Sequence, residues 1–227
     1  MYDNGFFGGF RVCHWDVGMT KVLSVPATVQ KFGKQQLTFP ACEIHKGTVV
    51  GLIGRSGSGK SILLRQLAGV LPSPVPIDFV GTTAFVFAKN GLLQHYSVWQ
   101  NLYLASLFSG KTPSNLEEQI TELLHSVQIA QSKDTLAVQL NANTNKMVQI
   151  LRAKLLAPDI VFMENPQQDI SLTQLSFLEN WIQEYVGNGG TLIFSDESNR
   201  SLKNLSVHYI ELDGGSQTLR TILHNKM

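Results

Sequence analysis

The sequence is poor in charged residues, in cysteine and in long apolar runs, and each shortage excludes a class of protein. Only 15% of its 227 residues are charged, against about 25% in an average soluble domain, while 43% are hydrophobic. A disordered chain departs from the average in the opposite direction, so the composition predicts a folded protein with a substantial core. The low charge also suggests that a partner covers part of the surface.

There is no excess of basic residues either. Eighteen Lys and Arg against 17 Asp and Glu give a net charge of +1, so a broad nucleic-acid-binding surface is not expected. The two cysteines, Cys13 and Cys42, are too few for a disulfide scaffold, and reduced thiols are the expected state in a cytosolic protein.

The apolar runs are short. None approaches the roughly 18 residues that a membrane-spanning helix requires. The first residues lack the basic start and continuous apolar run of a secretory signal. We therefore expect a cytoplasmic protein that is peripheral on the inner face of a membrane only through a partner, which supplies the spans.

What the sequence does contain is an alternation of strand and helix patterns. Residues 1–46 mix short apolar runs with turn formers, which is typical of an antiparallel β region. Apolar patterning then predicts strands at 48–53, 83–87, 160–163 and 191–195, helices at 60–69, 97–138, 144–156 and 172–185, a short helix after 195 and a hairpin around 213–215. The alternation predicts a single α/β domain, residues 1–227, with a mostly parallel sheet and an inserted helical subdomain at about 97–142.

The clearest motif is GRSGSGKS, residues 54–61, which matches G-x-x-x-x-G-K-[ST] between a predicted strand and a predicted helix. Glycines allow successive backbone N–H groups to point at phosphate oxygens, and the positive helix N-terminus reinforces them. Lys60 would neutralise the β- and γ-phosphates, and the Ser61 hydroxyl would ligate Mg²⁺. The predicted nucleotide-binding residues of this loop are Gly54, Arg55, Ser56, Gly57, Ser58, Gly59, Lys60, Ser61 and Ile62.

Four further segments follow this loop along the chain: FVFAKNGLLQHYSVWQNL, LNANTNKMVQILRAKLLAPDIVFMENP, TLIFSDES and HYIELDGG. With the phosphate loop they resemble the nucleotide-binding domain of ATP-binding cassette (ABC) transporters from about residue 28 to 215. The resemblance implies a P-loop NTPase domain of the ABC type with a trimmed antiparallel β subdomain, ATP and Mg²⁺ as cofactors, and adenine stacking on Phe32. For Phe32, packing in the core is an equally good interpretation.

The other motifs depart from the family pattern. The Q-loop glutamine is Ala88, and the signature Leu-Ser-Gly-Gly-Gln reads Leu-Asn-Ala-Asn-Thr at residues 140–144. Glu164 replaces the Walker B aspartate and is the second predicted Mg²⁺ ligand beside Ser61. Asn165 occupies the position of the catalytic glutamate, and Asp196 that of the switch histidine.

These replacements imply impaired or absent hydrolysis. The amide of Asn165 can orient a water molecule but cannot accept its proton, and a general base contributes about 10²–10⁴ in rate. Side chains at Ala142 and Asn143 would obstruct the close approach of a partner's γ-phosphate. We assign no catalytic residue, since Asn165 and Asp196 occupy the usual base and switch positions.

Three functions fit this sequence. The first is the ATP-binding subunit of an ABC-type membrane transporter, forming a head-to-tail dimer with itself or another ABC domain and docking on an integral membrane subunit through residues near 88–105. The second is a non-enzymatic P-loop scaffold or regulatory subunit of a larger membrane-associated assembly. The third is an ATPase with Glu164 as base, which is disfavoured because Pro166 fixes the register and puts Asn165 at the base position.

Overall fold

A computed structural model describes residues 6–7, 10–11, 20–32, 35–39, 41–110, 112–197, 202 and 204–212. The strands within them are β1 (Phe6–Phe7), β2 (Phe10–Arg11), β3 (Lys21–Val25), β4 (Thr28–Phe32), β5 (Gln35–Phe39), β6 (Cys42–His45), β7 (Val49–Ile53), β8 (Asp78–Phe79), β9 (Thr83–Val86), β10 (Ile160–Glu164), β11 (Thr191–Asp196) and β12 (His208–Glu211). The helices are α1 (Lys60–Leu67), α2 (Val98–Phe108), α3 (Leu116–Ser126), α4 (Ala142–Leu156) and α5 (Leu172–Gly187), with 3₁₀ turns at Ala130–Ser132 and Ala137–Gln139.

The central sheet is parallel throughout, in the order β12-β7-β11-β10-β9. Every residue of β7 and of β10 is buried, as expected of parallel strands that are covered on both faces. Because parallel strands end at a common edge, the segments that follow β7, β9, β10 and β11 converge there. The predicted parallel sheet and its strands at 48–53, 83–87, 160–163 and 191–195 are confirmed.

The predicted antiparallel β region is also confirmed. Strand β3 pairs with β6 and with β8, and β4 forms a hairpin with β5. Strand β8 was not predicted, because a two-residue strand leaves no periodic pattern in the sequence. The short helix expected after residue 195 falls largely on residues outside the described ranges, and the hairpin around 213–215 lies wholly outside them.

Two hydrophobic layers cover the sheet. Val161 and Met163 face one layer with α2, α3, α4 and α5, whereas Ile160 and Phe162 face the other with α1 and the antiparallel strands. The alternation along β10 follows from the two-residue period of a strand. The stretch predicted as helical at 97–138 contains α2, α3 and the two 3₁₀ turns, and α2 packs on α4. In the described part of the chain, no helix is both long and apolar enough to cross a bilayer.

Candidate nucleotide-binding site

The phosphate loop connects β7 to α1 and has a backbone that only glycine accommodates well. Gly54 and Gly59 have φ values of 148° and 94°. A Cβ on Gly54 would collide with the carbonyl oxygen of Leu212, which follows the neighbouring strand β12. Gly59 is the N-cap of α1, and neither a side-chain cap nor an acidic residue in the first turn engages this helix end. The first N–H groups of α1 therefore point toward a site suited to an anion.

Lys60 lies at the start of α1 and is buried. Its Nζ donates to the carbonyl oxygens of Gly54 and Arg55, each at 2.7 Å, so it supports the loop from within. Burial lowers the pKa of the Lys60 ammonium, and the negative charges of Glu197 and Asp196 oppose that shift. Close to this lysine in the loop, the buried Oγ of Ser58 has no hydrogen-bond partner among the described residues.

A phosphate group fits this arrangement, because it would accept from the N–H groups, the ammonium and the Ser58 hydroxyl. The remaining predicted residues of the loop have the expected accessibility. Arg55, Ser56, Gly57 and Ser61 are exposed, and Ile62 is half-buried. Phe32 ends β4, and its side chain lies outside the described part of the structure, so its predicted contact with adenine stays a prediction.

The Glu164 carboxylate, predicted to bind Mg²⁺, is bound by groups of its own chain. Oε1 accepts from Arg65 Nε at 2.7 Å, while Oε2 accepts from Arg65 Nη2 at 3.1 Å and from the N–H of Ala88 at 2.9 Å. Glu164 is only 2% exposed. A magnesium ion bound by Glu164 would have to lie beside the Arg65 guanidinium or replace it, which disfavours the predicted role of Glu164 as a magnesium ligand.

Lys146 is a second buried cation at the same edge of the sheet, and the sequence analysis did not single it out. Its Nζ donates to the backbone oxygens of Glu164 and Phe87. Burial lowers the pKa of the Lys146 ammonium to about 8, and the charge of Glu164 opposes that shift most. Lys146 belongs to a stripe with Gln149 and Arg152, spaced by three residues along α4.

The stripe on α4 holds the backbone that follows β9, where the family has its Q-loop. Besides the contact of Lys146 with the Phe87 oxygen, Gln149 Oε1 accepts from the Phe87 N–H at 2.8 Å. Arg152 Nη2 donates to the oxygen of Gly91, also at 2.8 Å. The three-residue spacing of these polar side chains, with apolar pairs at residues 147–148 and 150–151 between them, was the signal by which this stripe could have been found.

The signature segment is also bound to its own chain. Asn141 is the N-cap of α4, and its Oδ1 accepts from the N–H of Thr144 at 2.8 Å. Asn143 Nδ2 lies 2.7 Å from the backbone oxygen of Asp169 and 2.7 Å from Oε1 of Gln174. The side chain at a position that is glycine in the family thus joins the start of α4 to the segment before α5.

Asn165 directly follows β10 and Asp196 ends the neighbouring strand β11, at the same edge of the sheet. Asn165 has a φ of 44°, its N–H donates to the oxygen of Ser195 at 2.8 Å, and its Nδ2 donates to Gln168 Oε1 at 3.0 Å. Asp196 accepts from the N–H of Glu197 at 2.6 Å. The two predicted positions therefore come together at the phosphate-loop edge, as the order of the strands requires.

Comparison with known proteins gives concordant results. The family model described as "ABC transporter" matches residues 39–168. The lipoprotein-releasing system ATP-binding protein LolD of Ehrlichia ruminantium (strain Gardel) is 30% identical over 223 residues, covering 87% of this chain and 97% of that protein. The sulfate/thiosulfate import ATP-binding protein CysA of Salmonella typhi is 28% identical over 172 residues, covering 68% of this chain and 47% of that protein.

Among solved structures, one described as the structure of the ATP binding subunit of an ABC transporter superposes with a TM-score of 0.75. It is 17% identical in sequence, and the alignment covers 87% of this chain and 90% of that one. At this identity, the similarity supports the fold alone.

Proposed function

The chain belongs to the ABC transporter family as an ATP-binding subunit, and we propose that it binds ATP at its phosphate loop and scarcely hydrolyses it. One contrast carries the proposal. The N-terminus of α1 keeps an uncapped, glycine-lined site with Lys60, whereas the side chains at the other motif positions contact their own chain.

The loss of hydrolysis follows from the chemistry at two positions. Asn165 supplies an amide in place of a general base worth about 10²–10⁴ in rate. Asn143 fills a position where close approach of a phosphate requires glycine. Effects of residues that act together do not multiply, but both replacements lower the expected rate of hydrolysis. Glu164 is a poor substitute base, because Arg65 and Ala88 hold its two oxygens.

ABC ATP-binding subunits dimerise and work with integral membrane components, and we propose both for this chain. In a head-to-tail homodimer each site would combine Asn165 with a signature that carries Asn143. With a complete ABC domain as partner, one site would lack the base and the other the signature. Appreciable hydrolysis would then occur only at a site built chiefly by the partner.

An exposed apolar patch is our candidate for the surface that binds the membrane subunit. It consists of Leu93, Tyr96, Leu136 and Val138, of which Val138 is 59% exposed. The two segments lie side by side, because Ala137 N–H donates to the Tyr96 oxygen and Val138 N–H to the Gln94 oxygen. Part of this patch falls within residues 88–105, where docking was expected from the sequence. Val138→Glu should reduce copurification of a membrane subunit without unfolding the chain.

The primary test is calorimetric titration with ATP of the wild type, Lys60→Ala and the control Lys21→Ala. Lys21 is a surface residue paired with Glu43, remote in sequence from the loop. We expect micromolar binding by the wild type and the control, and a loss of about 100-fold in Lys60→Ala, because a charge-assisted contact disappears. Phosphate release should stay near background. Rapid release by the isolated chain would contradict impaired hydrolysis.

The scaffold alternative is supported by the same internal contacts, since they stabilise the fold without nucleotide. It predicts that the assembly keeps its full function in the cell when the chain carries Lys60→Ala, although that variant no longer binds nucleotide. Absence of ATP binding at millimolar concentration, by a folded protein with its partner present, would favour the scaffold over the transporter subunit.

A further inference from the structure

The Glu164 carboxylate is neutralised from inside the protein. Arg65 approaches it with two nitrogens, at 2.7 Å and 3.1 Å, and the N–H of Ala88 adds a third donor at 2.9 Å. Bidentate contacts between guanidinium and carboxylate are among the stronger charge-assisted hydrogen bonds. We propose that Arg65 takes the place of a divalent cation, so that this site binds nucleotide without a metal ion held by Glu164.

The position of Arg65 on α1 explains how it can take this place. Arg65 follows Ser61 by four residues, so the two side chains lie on the same face of the helix. Arg65 thus lies one helical turn after the residue whose hydroxyl was expected to ligate Mg²⁺. Glutamate is one methylene longer than the aspartate of the family, and this length lets residue 164 extend to Arg65.

A metal ion at Glu164 would lie beside two cations, although Asp169 and Asp196 also place negative charge near Lys146. Arginine remains protonated in proteins, so the pair cannot be released by deprotonation. Lys146, which is buried, adds a second positive charge and donates to the backbone oxygen of Glu164. At the Q-loop position, Ala88 offers an N–H donor to the carboxylate and no side-chain oxygen to a metal. A divalent cation would have to break the ion pair and approach two cations.

The inference rests on the proposed nucleotide binding, and its first test compares ATP affinity of the full chain in millimolar Mg²⁺ and in EDTA. We expect the two dissociation constants to agree within about threefold, less than 1 kcal/mol. Mn²⁺, followed by electron paramagnetic resonance, should show no nucleotide-dependent site that Glu164→Gln removes. ATP binding that requires Mg²⁺, or a bound Mn²⁺ that disappears in Glu164→Gln, would overturn the inference.

A designed variant supplies the opposite result. Arg65→Met combined with Glu164→Asp removes the guanidinium and shortens the carboxylate to the length found in the family. We expect this double variant to gain nucleotide-dependent Mn²⁺ binding of at least about tenfold over the wild type. Arg65→Lys is the matched control, since it keeps the charge and loses the bidentate contact. Equal Mn²⁺ binding in the wild type and the double variant would count against the proposal.

A second measurement needs no nucleotide and separates this inference from the proposed function. Arg65→Met and Glu164→Gln should each lower Tm by roughly 5 °C, because each leaves one member of a partly buried pair without its partner. The two changes together should lower Tm by little more than one alone, and Mg²⁺ should not raise the Tm of the wild type. Additive effects of the two changes, or stabilisation by Mg²⁺ alone, would overturn the inference even if no ATP binds.

Discussion

Two helices begin at positions where ABC domains bind phosphate, and they begin differently. Helix α1 starts at Gly59 with no side-chain cap, so its first N–H groups are directed at the space above the phosphate loop. Helix α4 starts at Asn141, whose side chain accepts from the N–H of Thr144. The N-terminal N–H groups of α1 are thus available to a ligand, whereas at α4 the N–H of Thr144 is bound by the helix cap and stabilises the helix.

The difference shows which part of the site resists change. At α1 the chemistry is carried by backbone groups and by glycines with positive φ, so replacing Gly54 or Gly59 costs stability. At α4 and at the ends of β10 and β11 it is carried by side chains, which can be exchanged for residues such as Asn143 or Glu164 that bind within the chain. This division would allow the proposed loss of hydrolysis while the fold is kept.

The largest effect is expected from Gly54→Ala, which alters the backbone of the phosphate loop before α1. A Cβ there is strained by a φ of 148° and collides with the carbonyl of Leu212. We expect a loss of about 3 kcal/mol in the free energy of unfolding and no measurable ATP binding. Urea unfolding and calorimetry measure the two effects.

Gly187→Ala is the control for this change. Gly187 ends α5, and a Cβ there meets no atom within 4 Å. The substitution should leave ATP binding unchanged and stabilise the chain by up to about 1 kcal/mol through better helix propensity. If Gly54→Ala unfolds like the wild type, the phosphate loop does not depend on its glycine backbone in the way proposed.

A smaller effect is expected at α4. Asn141→Ala removes the only side-chain acceptor that caps this helix in the described residues and should cost about 1 kcal/mol of stability. Asn141→Ser should cost little, because serine caps equally well. Neither change should alter ATP binding by the isolated chain. Equal stabilities of the Ala and Ser variants in urea would mean that α4 does not depend on its cap.

The sequence predicted those features that depend on neighbouring residues. The buried run of β10 and the glycines before Lys60 are local patterns, and both lie where they were predicted. The partner of Glu164 could not be predicted, because Arg65 is 99 residues away and meets it only after the parallel sheet has formed. For the same reason Asn143 was expected to obstruct a ligand, whereas its contacts with Asp169 and Gln174 remained hidden.

The smallest effect concerns Asp196, which ends β11 and whose charge acts on Lys60 in the phosphate loop. Its carboxylate, with that of Glu197, favours the charged form of Lys60 and so contributes negative potential where a γ-phosphate would bind. Asp196→Asn should therefore tighten ATP binding by about threefold, and ADP binding by less, because ADP has no γ-phosphate. Higher salt should reduce the difference between variant and wild type.

Glu184→Gln is the matched control for Asp196→Asn, since it removes a carboxylate that is exposed on α5 and paired with Lys154. It should leave ATP affinity unchanged. Unchanged or weaker ATP binding by Asp196→Asn would mean that its charge does not act on the bound phosphates. The ATP affinity of the wild type would then be set by the phosphate loop, without a contribution from the side chain at the end of β11.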